Sequence, residues 1–446
     1  MPLPTIPAHA MGYGGAERFL SQLQGEDVPE DWKGSLNITY KLGPKITDGL
    51  SLSLQVTTAN SIRRADNVIA ILKGDVEPDR YVLLGNHRDA WVYGSIDPSS
   101  GTAVMMEVAR AMGQLVKEKK WRPRRSIMFC SWGGEEFGLL GSNEWSEQYV
   151  KSLGARAVAY INIDIACARY PTQMTQKSAK ADQRYTIPGY ILSHGKLVGT
   201  FPSKPPDLWV GDLGSASDYA PLLQFVGITS LDIRYTYNSS KYKIGSYPLY
   251  HTEYETFEAV KTLLDKEFKE LRSSALLPTH SSSPSMSQST PGHWSKTEQT
   301  LDKEFGSTLS AKVSNYTDLE RIISNFKKDV DNFETAVSKI DRKDPMAIRM
   351  INDQLLLLEK AFLDPAGLPS RPEKKHLIFA ENANDAYAGS SFPGLVDLLF
   401  DIDKLQADRL AERWKEIQHH FSVLLNAIQA AGYTLRDVVK FVEETY

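Results

Sequence analysis

Between residues 67 and 164 the sequence alternates short apolar runs with segments of helical periodicity, and this alternation limits the fold more than any other feature. The helical segment after the second run places Val104 and Val108 one turn apart, with Ser99 or Ser100 as its candidate cap. Strands that alternate with helices favour a mostly parallel sheet, so we predict an α/β fold with helices on both faces of the sheet. The apolar runs, rich in leucine and β-branched residues and typical of strands, lie at 67–74, 81–86, 126–132 and 157–164.

The remaining sequence divides into regions of different character. Residues 167–211 lose the alternation and predict a long loop, whereas 219–235 predict a helix that leads into a strand. A Ser/Pro-rich stretch at 278–295 predicts a disordered linker, and beyond it the apolar positions step by three and four, which predicts a helical bundle. The predicted regions are a small partial domain at 1–58, the α/β domain at 59–275, a linker at 276–298 and a helical domain at 299–446.

Composition excludes several classes of protein. The chain has 446 residues and a formal net charge of −4, which gives no reason to expect nucleic acid as a partner. No run of 18 apolar residues predicts a membrane helix, and the first fifteen residues lack the pattern of a signal peptide. Two cysteines, Cys130 and Cys167, exclude a disulfide scaffold. Sequons at Asn37, Asn238 and Asn315 are compatible with a glycoprotein.

Acidic residues and histidines follow the predicted strands. His87 follows the run at 81–86, Glu135 and Glu136 follow 126–132, and Asp164 closes 157–164. In an open α/β sheet, ligands bind outside the carboxyl ends of the strands, so these side chains are expected to meet at one edge. With Asp97 and His251, the mixture of imidazole and carboxylate suits zinc, and the number of ligands suits two ions that share one carboxylate.

Each of these residues also has an ordinary structural interpretation. A lone histidine such as His251 is often structural, a Glu-Glu pair often begins a helix, and Asp97-Pro98 is typical of a turn. The pair His419-His420, in a helix with Lys and Arg nearby, predicts a surface position. The sequence contains no G-x-S-x-G, G-x-x-x-x-G-K-[ST] or H-E-x-x-H motif, so the metal site is the best-supported chemistry.

At these residues the sequence resembles peptidase family M28, in the branch of glutamate carboxypeptidase II and the transferrin receptor. The resemblance rests on GNHRDAWVYGSIDPSSG, WRPRRSIMFCSWGGEEFGLLGSNEW, YPLYHTEYETF, RMINDQLLLLEKAFLDP and SFPGLVDLLFDI. It covers roughly residues 1–165, 210–275 and 300–446, and within the branch GSASDYAPLLQFVGITSLDIRYTY is most similar to the NAALADase-like aminopeptidases. It implies a partial apical domain at 1–58, a metallopeptidase domain and a C-terminal dimerisation domain.

The resemblance implies a role for each candidate residue. Glu135 would be the general base that takes a proton from the metal-bound water, Asp89 would orient His87, and Tyr250 would hydrogen-bond the oxyanion. Of the family's calcium site only Glu144 and Glu147 remain. The implied zinc ligands are Asp97, which bridges two ions, His87 and Asp164, which complete one ion, and Glu136 and His251, which complete the other.

Departures from the glutamate-specific relatives bear on the substrate. Those relatives carry Arg where this chain has Asp232, and Lys where it has Ala386, whereas Arg234 is retained. Asp232 reverses the charge at a position for a substrate carboxylate and suits a free α-amino group, which favours an aminopeptidase. The candidate substrate-binding residues are Ser217, Asp232, Arg234 and Tyr387.

The resemblance also implies a peptide substrate and a homodimer formed through the C-terminal helical domain. Relatives of this branch are type II ectodomains at the cell surface, and this sequence has neither anchor nor signal, so we expect a plasma-membrane location only if an N-terminal part is missing. Two alternatives to an enzyme are a non-catalytic, receptor-like member and an inactive, truncated member. The complete set of metal ligands favours the enzyme over the receptor.

Overall fold

The computed structural model describes residues 6–59, 61–168, 213–236, 246–268, 271, 306–341 and 343–436. It contains two compact units, Met1–Arg64 and Ala65–Tyr446. The predicted linker at 276–298 lies outside the described residues, and so does the predicted loop at 167–211 apart from its first two residues.

The N-terminal unit is built from short elements. It contains helix α1 (Tyr13–Leu20), a 3₁₀ turn (Glu30–Trp32) and two isolated antiparallel bridges. Residues 6–59 contain no fully buried side chain. Turns and bridges, and not an apolar core, therefore stabilise this unit.

A five-stranded sheet forms the centre of the second unit. Its strands are β1 (Val68–Leu72), β2 (Glu77–His87), β3 (Arg125–Trp132), β4 (Ala157–Asn162) and β6 (Ser230–Asp232), and β5 (Cys167–Ala168) pairs with β7 (Tyr235–Thr236) outside this sheet. The strand order is β1-β3-β2-β4-β6. β2, β3, β4 and β6 are parallel, and β1 runs antiparallel to β3 at one edge. This confirms the predicted mostly parallel sheet.

Both faces of the sheet are covered because successive strand residues point to opposite sides. Leu84 packs with Val104 and Val108 of α2 (Ser99–Lys117), whereas Leu83 belongs to the larger core on the other face. That larger core is continuous with the C-terminal helices. Other helices described in this half are α3 (Leu140–Gln148), α4 (Val150–Arg156), α5 (Tyr219–Gln224) and α6 (Phe257–Ala259). The last continues as a π-helical turn, Val260–Leu264, before the 3₁₀ turn Lys266–Phe268.

One local prediction was wrong. α2 begins at Ser99 with Pro98 in the cap position, and neither serine caps the helix. The Ser100 hydroxyl donates instead to the carbonyl of Ile96 and accepts from the amide of Ala166, which ties the helix to the segment after β4.

The C-terminal part is mainly helical, as predicted. Its helices include α7 (Asp318–Ser338), α8 (Pro345–Lys360), α9 (Pro393–Leu399) and α10 (Ala407–Leu435), with a hairpin of β8 (Phe379–Asn382) and β9 (Asp385–Ser391) and a 3₁₀ turn (Ile402–Lys404). The predicted surface position of His420 was wrong: its side chain is buried, and its ring occupies the space beside Gly394 of α9. Among the described helices, none combines the length and apolar character needed to cross a membrane.

Candidate metal centre

The candidate ligands gather at the carboxyl edge of three neighbouring parallel strands. His87 is the last residue of β2, Glu135 and Glu136 follow β3, and Asp164 lies two residues beyond β4. Because β2 lies between β3 and β4, the three strand ends deliver their side chains to one place. His251 reaches the same place from the segment before α6.

Three ligand atoms surround the first potential cation position. His87 Nε2 lies 3.0 Å from Asp164 Oδ1 and 3.3 Å from Asp97 Oδ1. Ligands held at zinc–nitrogen and zinc–oxygen bond lengths in a tetrahedron lie about 3.3 Å from one another. All three side chains are buried. The spacing of these atoms therefore fits a small cation between them.

A second set of ligand atoms shares Asp97 with the first. His251 Nε2 lies 3.1 Å from Asp97 Oδ2 and 3.3 Å from Glu136 Oε2. The two oxygens of one carboxylate thus face two different histidines. The structure brings together all five predicted metal ligands, in two groups that share Asp97.

The opposite nitrogen of His87 is held by the main chain. His87 Nδ1 lies 2.9 Å from the carbonyl oxygen of Asp89 and 3.8 Å from its carboxylate. A proton on Nδ1 donates to the carbonyl and leaves Nε2 free to bind a metal. The Asp89 carboxylate accepts hydrogen bonds from the amides of Gly134, Glu135 and Glu136, so it holds the loop that carries both glutamates.

Several ionisable side chains at this edge have pKa values that are shifted from their ordinary range. Burial, together with the nearby Asp164 carboxylate, raises the pKa of Glu135 to about 10. Burial and the Asp97 carboxylate raise the pKa of Glu136 to about 7. For His87, burial opposes the charged ring, but the Asp164 carboxylate prevails and the net pKa is raised. A bound cation would stabilise the ionised carboxylates and reverse the shifts at Glu135 and Glu136.

Two buried oxygens in the centre support the fit of a cation. Asp97 Oδ1 and Glu136 Oε1 are buried, and neither accepts a hydrogen bond within the described part of the chain. Buried polar atoms without a partner are costly in free energy, and metal coordination is one way to satisfy them. The donor set, two imidazoles and three carboxylates, matches the ligands of zinc.

The other predicted site residues lie outside the two ligand groups. Tyr250 stacks on the His251 ring, with 3.7 Å between ring centroids. Asp232 ends β6, beside Asn162 on β4, and Ser217 contacts the same asparagine. Arg234 lies two residues after Asp232 in the chain, and its Nε is buried and makes no hydrogen bond among the described residues. The side chain of Tyr387, in β9, lies outside the described residues, and Glu144 and Glu147 are exposed on α3.

Two supporting residues were not predicted. Asn162 donates to Ser217 Oγ at 2.9 Å and to Asp232 Oδ1 at 3.0 Å, and it accepts from the Tyr160 hydroxyl at 2.7 Å. Glu255 accepts hydrogen bonds from the backbone amides of Ile96 and Asp97. Asn162 lies next to Ile163 and Asp164 in INID, but nothing in that motif indicates which neighbouring strand it contacts.

Comparison with known proteins agrees with this geometry. A model of peptidase family M28 matches residues 67–275, and a model of the transferrin receptor-like dimerisation domain matches residues 314–436. The chain is 34% identical over 480 residues to aminopeptidase NAALADL1 of Rattus norvegicus, which covers 98% of this chain and 62% of that protein. It is 31% identical over 481 residues to a glutamate carboxypeptidase 2 homolog of Caenorhabditis briggsae, which covers 98% and 61%.

The chain spans about six-tenths of the length of these curated relatives. Among solved structures, a zinc aminopeptidase from Bacillus subtilis matches with a TM-score of 0.37 and 23% identity over 48% of each chain. The family assignment rests on the sequence matches and not on this structural similarity. Those matches run collinearly through both domains and include the segments that bring the five ligands together. Residues 67–275 therefore form a peptidase family M28 domain, and residues 314–436 form a transferrin receptor-like dimerisation domain.

Proposed function

We propose that this chain is a two-zinc exopeptidase that releases N-terminal residues from peptides. The observation that carries the proposal is the sharing of Asp97 between two ligand groups, each with one histidine and one further carboxylate. One ion would be held by His87, Asp97 and Asp164, and the other by Asp97, Glu136 and His251. When bound, zinc supplies Lewis acidity and lowers the pKa of water towards neutrality.

Glu135 is the residue proposed to move the proton. Its Oε2 lies 4.0 Å from His87 Nε2, close to the first ligand group, and its side chain is largely buried. A carboxylate there can accept the proton of the attacking water and donate it to the leaving amine. Tyr250, whose ring stacks on His251, is the proposed hydrogen-bond donor to the oxyanion.

The preference for N-terminal residues is supported by Asp232. Asn162 holds one oxygen of its carboxylate at 3.0 Å, on the strand beside the one that leads to Asp164. A fixed carboxylate favours a cationic α-amino group. The similarity to aminopeptidase NAALADL1 points the same way.

A glutamate carboxypeptidase is the second candidate function. It is favoured by Arg234, whose Nε is buried without a hydrogen-bond partner among the described residues and suits a substrate carboxylate. The relatives named as glutamate carboxypeptidases are consistent with it.

The two candidates differ in the substrate that turns over faster. We expect a higher kcat/KM for an aminoacyl amide than for an N-acetyl-aspartyl-glutamate-like dipeptide. Asp232→Asn should lower kcat/KM for the aminoacyl amide at least about tenfold, because it removes the charge that faces the α-amino group. Asp408→Asn, far away in sequence on α10, is the control. Faster cleavage of the acetylated dipeptide would contradict the aminopeptidase assignment and support the second candidate.

We also propose that the chain forms a homodimer through its C-terminal helices. The proposal is supported by the match of residues 314–436 to the transferrin receptor-like dimerisation domain. Exposed apolar side chains on α8, at Met346, Met350 and Leu357, offer a surface for a second copy.

A further inference from the structure

Glu255 holds the loop that presents the shared carboxylate. Its Oε1 accepts hydrogen bonds from the backbone amides of Ile96, at 2.9 Å, and Asp97, at 2.7 Å. Its Oε2 accepts from the Tyr247 hydroxyl at 2.8 Å. The residue is only 2% exposed. A buried carboxylate with three donors is fixed in position, because hydrogen bonds to an ionised acceptor are stronger than neutral ones.

The same loop is also anchored by apolar packing. Ile96, directly before Asp97, is fully buried in a cluster with Tyr247 and Val260. The amide of Ser95 donates to the main-chain carbonyl of Glu255 at 3.3 Å. The backbone of residues 95–97 is therefore held both by Glu255 and by this cluster. Asp97 has a short side chain, so the position of its backbone largely sets the position of its two oxygens.

Glu255 also connects the two ligand groups through the chain. It lies four residues after His251, whose Nε2 faces Asp97 Oδ2 at 3.1 Å. One short segment thus supplies a ligand of the second group and the acceptor that positions the carboxylate shared by both groups. Within the described part of the chain, none of these contacts involves Glu135 or a candidate substrate residue.

We propose that Glu255 is a positioning residue for the shared carboxylate: through the amides of Ile96 and Asp97 it places Asp97 between the two ligand groups and thereby sets the affinity for zinc. The inference rests on the proposed two-zinc site. Removing a residue that orients a ligand typically costs 10- to 100-fold in metal affinity. Glu255 acts through the backbone and does not bind the metal itself.

The test measures zinc affinity on the full chain by titration against a chromogenic chelator. We expect Glu255→Ala to weaken zinc binding about 10- to 100-fold, because two amides lose their acceptor. Glu255→Gln should stay within about threefold of the wild type, since its amide oxygen can accept the same two hydrogen bonds. Glu253→Gln, on an exposed residue of the same segment, is the matched control and should not change the affinity.

Unfolding of the metal-free proteins by urea separates positioning from a structural role. A purely structural residue would lower the unfolding free energy of the metal-free chain and leave the zinc affinity of the folded protein unchanged, and that result would overturn the inference. An equal loss of affinity in Glu255→Gln and Glu255→Ala would also overturn it. If Glu255→Ala does not fold, Glu255→Asp, whose shorter side chain withdraws the acceptor, carries the same expectation. A wild-type chain that binds no zinc would instead refute the proposed function.

Discussion

Glu135 and Glu136 are adjacent in the chain, yet their carboxylates face different groups. Glu136 Oε2 lies 3.3 Å from His251 Nε2, whereas Glu135 Oε2 lies 4.0 Å from His87 Nε2. The Asp89 carboxylate fixes the turn that carries both residues, because it accepts hydrogen bonds from both of their backbone amides. The difference in position supports different roles, one as a metal ligand and the other as a base.

Substitution of the two glutamates should therefore have different consequences. Glu135→Gln should lower kcat about 100-fold or more and leave the zinc content unchanged, because it removes only the proton acceptor. Glu136→Gln, the matched control, should lose zinc from the second group. Both are checked by steady-state kinetics together with elemental analysis. Turnover of Glu135→Gln within tenfold of the wild type would exclude it as the base.

Helix α2 packs directly against the backbone of Ile163 and Asp164. A Cβ atom at Gly101 would lie 1.8 Å from the carbonyl oxygen of Ile163 and 2.4 Å from that of Asp164. Only glycine permits this approach of helix and strand end. In contrast, a Cβ atom at Gly113, in the same helix, would meet nothing within 4 Å.

The two glycines of α2 give a matched pair of stability predictions. Gly101→Ala should lower the free energy of unfolding by about 3 kcal/mol, because the backbone atoms it meets cannot rotate away. Gly113→Ala should raise it by about 0.5–1 kcal/mol through helix propensity alone. Urea denaturation measures both changes. Wild-type stability of Gly101→Ala would show that the helix is not seated so closely.

His420 gives the helical region a pH-dependent stability. Burial lowers the pKa of His420 to about 4, although Asp364 opposes the shift, and the unfolded value is about 6.5. The unfolded chain therefore binds more protons between these values, so stability is lost as the pH falls. Between pH 7 and pH 5 we expect a loss of about 2 kcal/mol from this residue. Urea denaturation of His420→Leu should show a correspondingly smaller pH dependence, and an equal dependence would contradict the assignment.

Much of this architecture could be predicted from the sequence, because strand runs and helix periodicity report burial directly. What could not be predicted depends on contacts between distant segments. Periodicity does not give strand direction, so the antiparallel β1 was not foreseen. The burial of His420 depends on Gly394 of another helix, and the contacts of Glu255 depend on a loop about 160 residues earlier.

At the scale of the whole molecule, the peptidase and helical regions share one core. Arg80, in β2, donates to Asp353 of α8 at 2.7 Å, and Lys374 donates to Gln224 of α5 at 3.1 Å. The helical region therefore supports the sheet, and α8 still leaves an apolar surface exposed. Met346 and Met350 on that helix are 70% and 57% exposed.

The proposed dimer can be tested on this surface. We expect the wild type to sediment as a dimer at micromolar concentration, and Met350→Asp to shift it towards the monomer because a buried charge without a partner is unfavourable. Met106→Asp, on a methionine of α2 that is also more than half exposed, should leave the dimer intact. Analytical ultracentrifugation gives the masses. A monomeric wild type would refute the dimer, and a dimeric Met350→Asp would exclude this helix from the interface.

The proposed sharing of Asp97 by two zinc ions can be tested by elemental analysis of the folded full chain, dialysed to remove free metal and checked by circular dichroism. We expect about two zinc ions per chain, because each ligand group supplies a histidine and two carboxylates and the groups meet at Asp97. A folded chain that binds one zinc ion or none when the metal is supplied would refute the sharing.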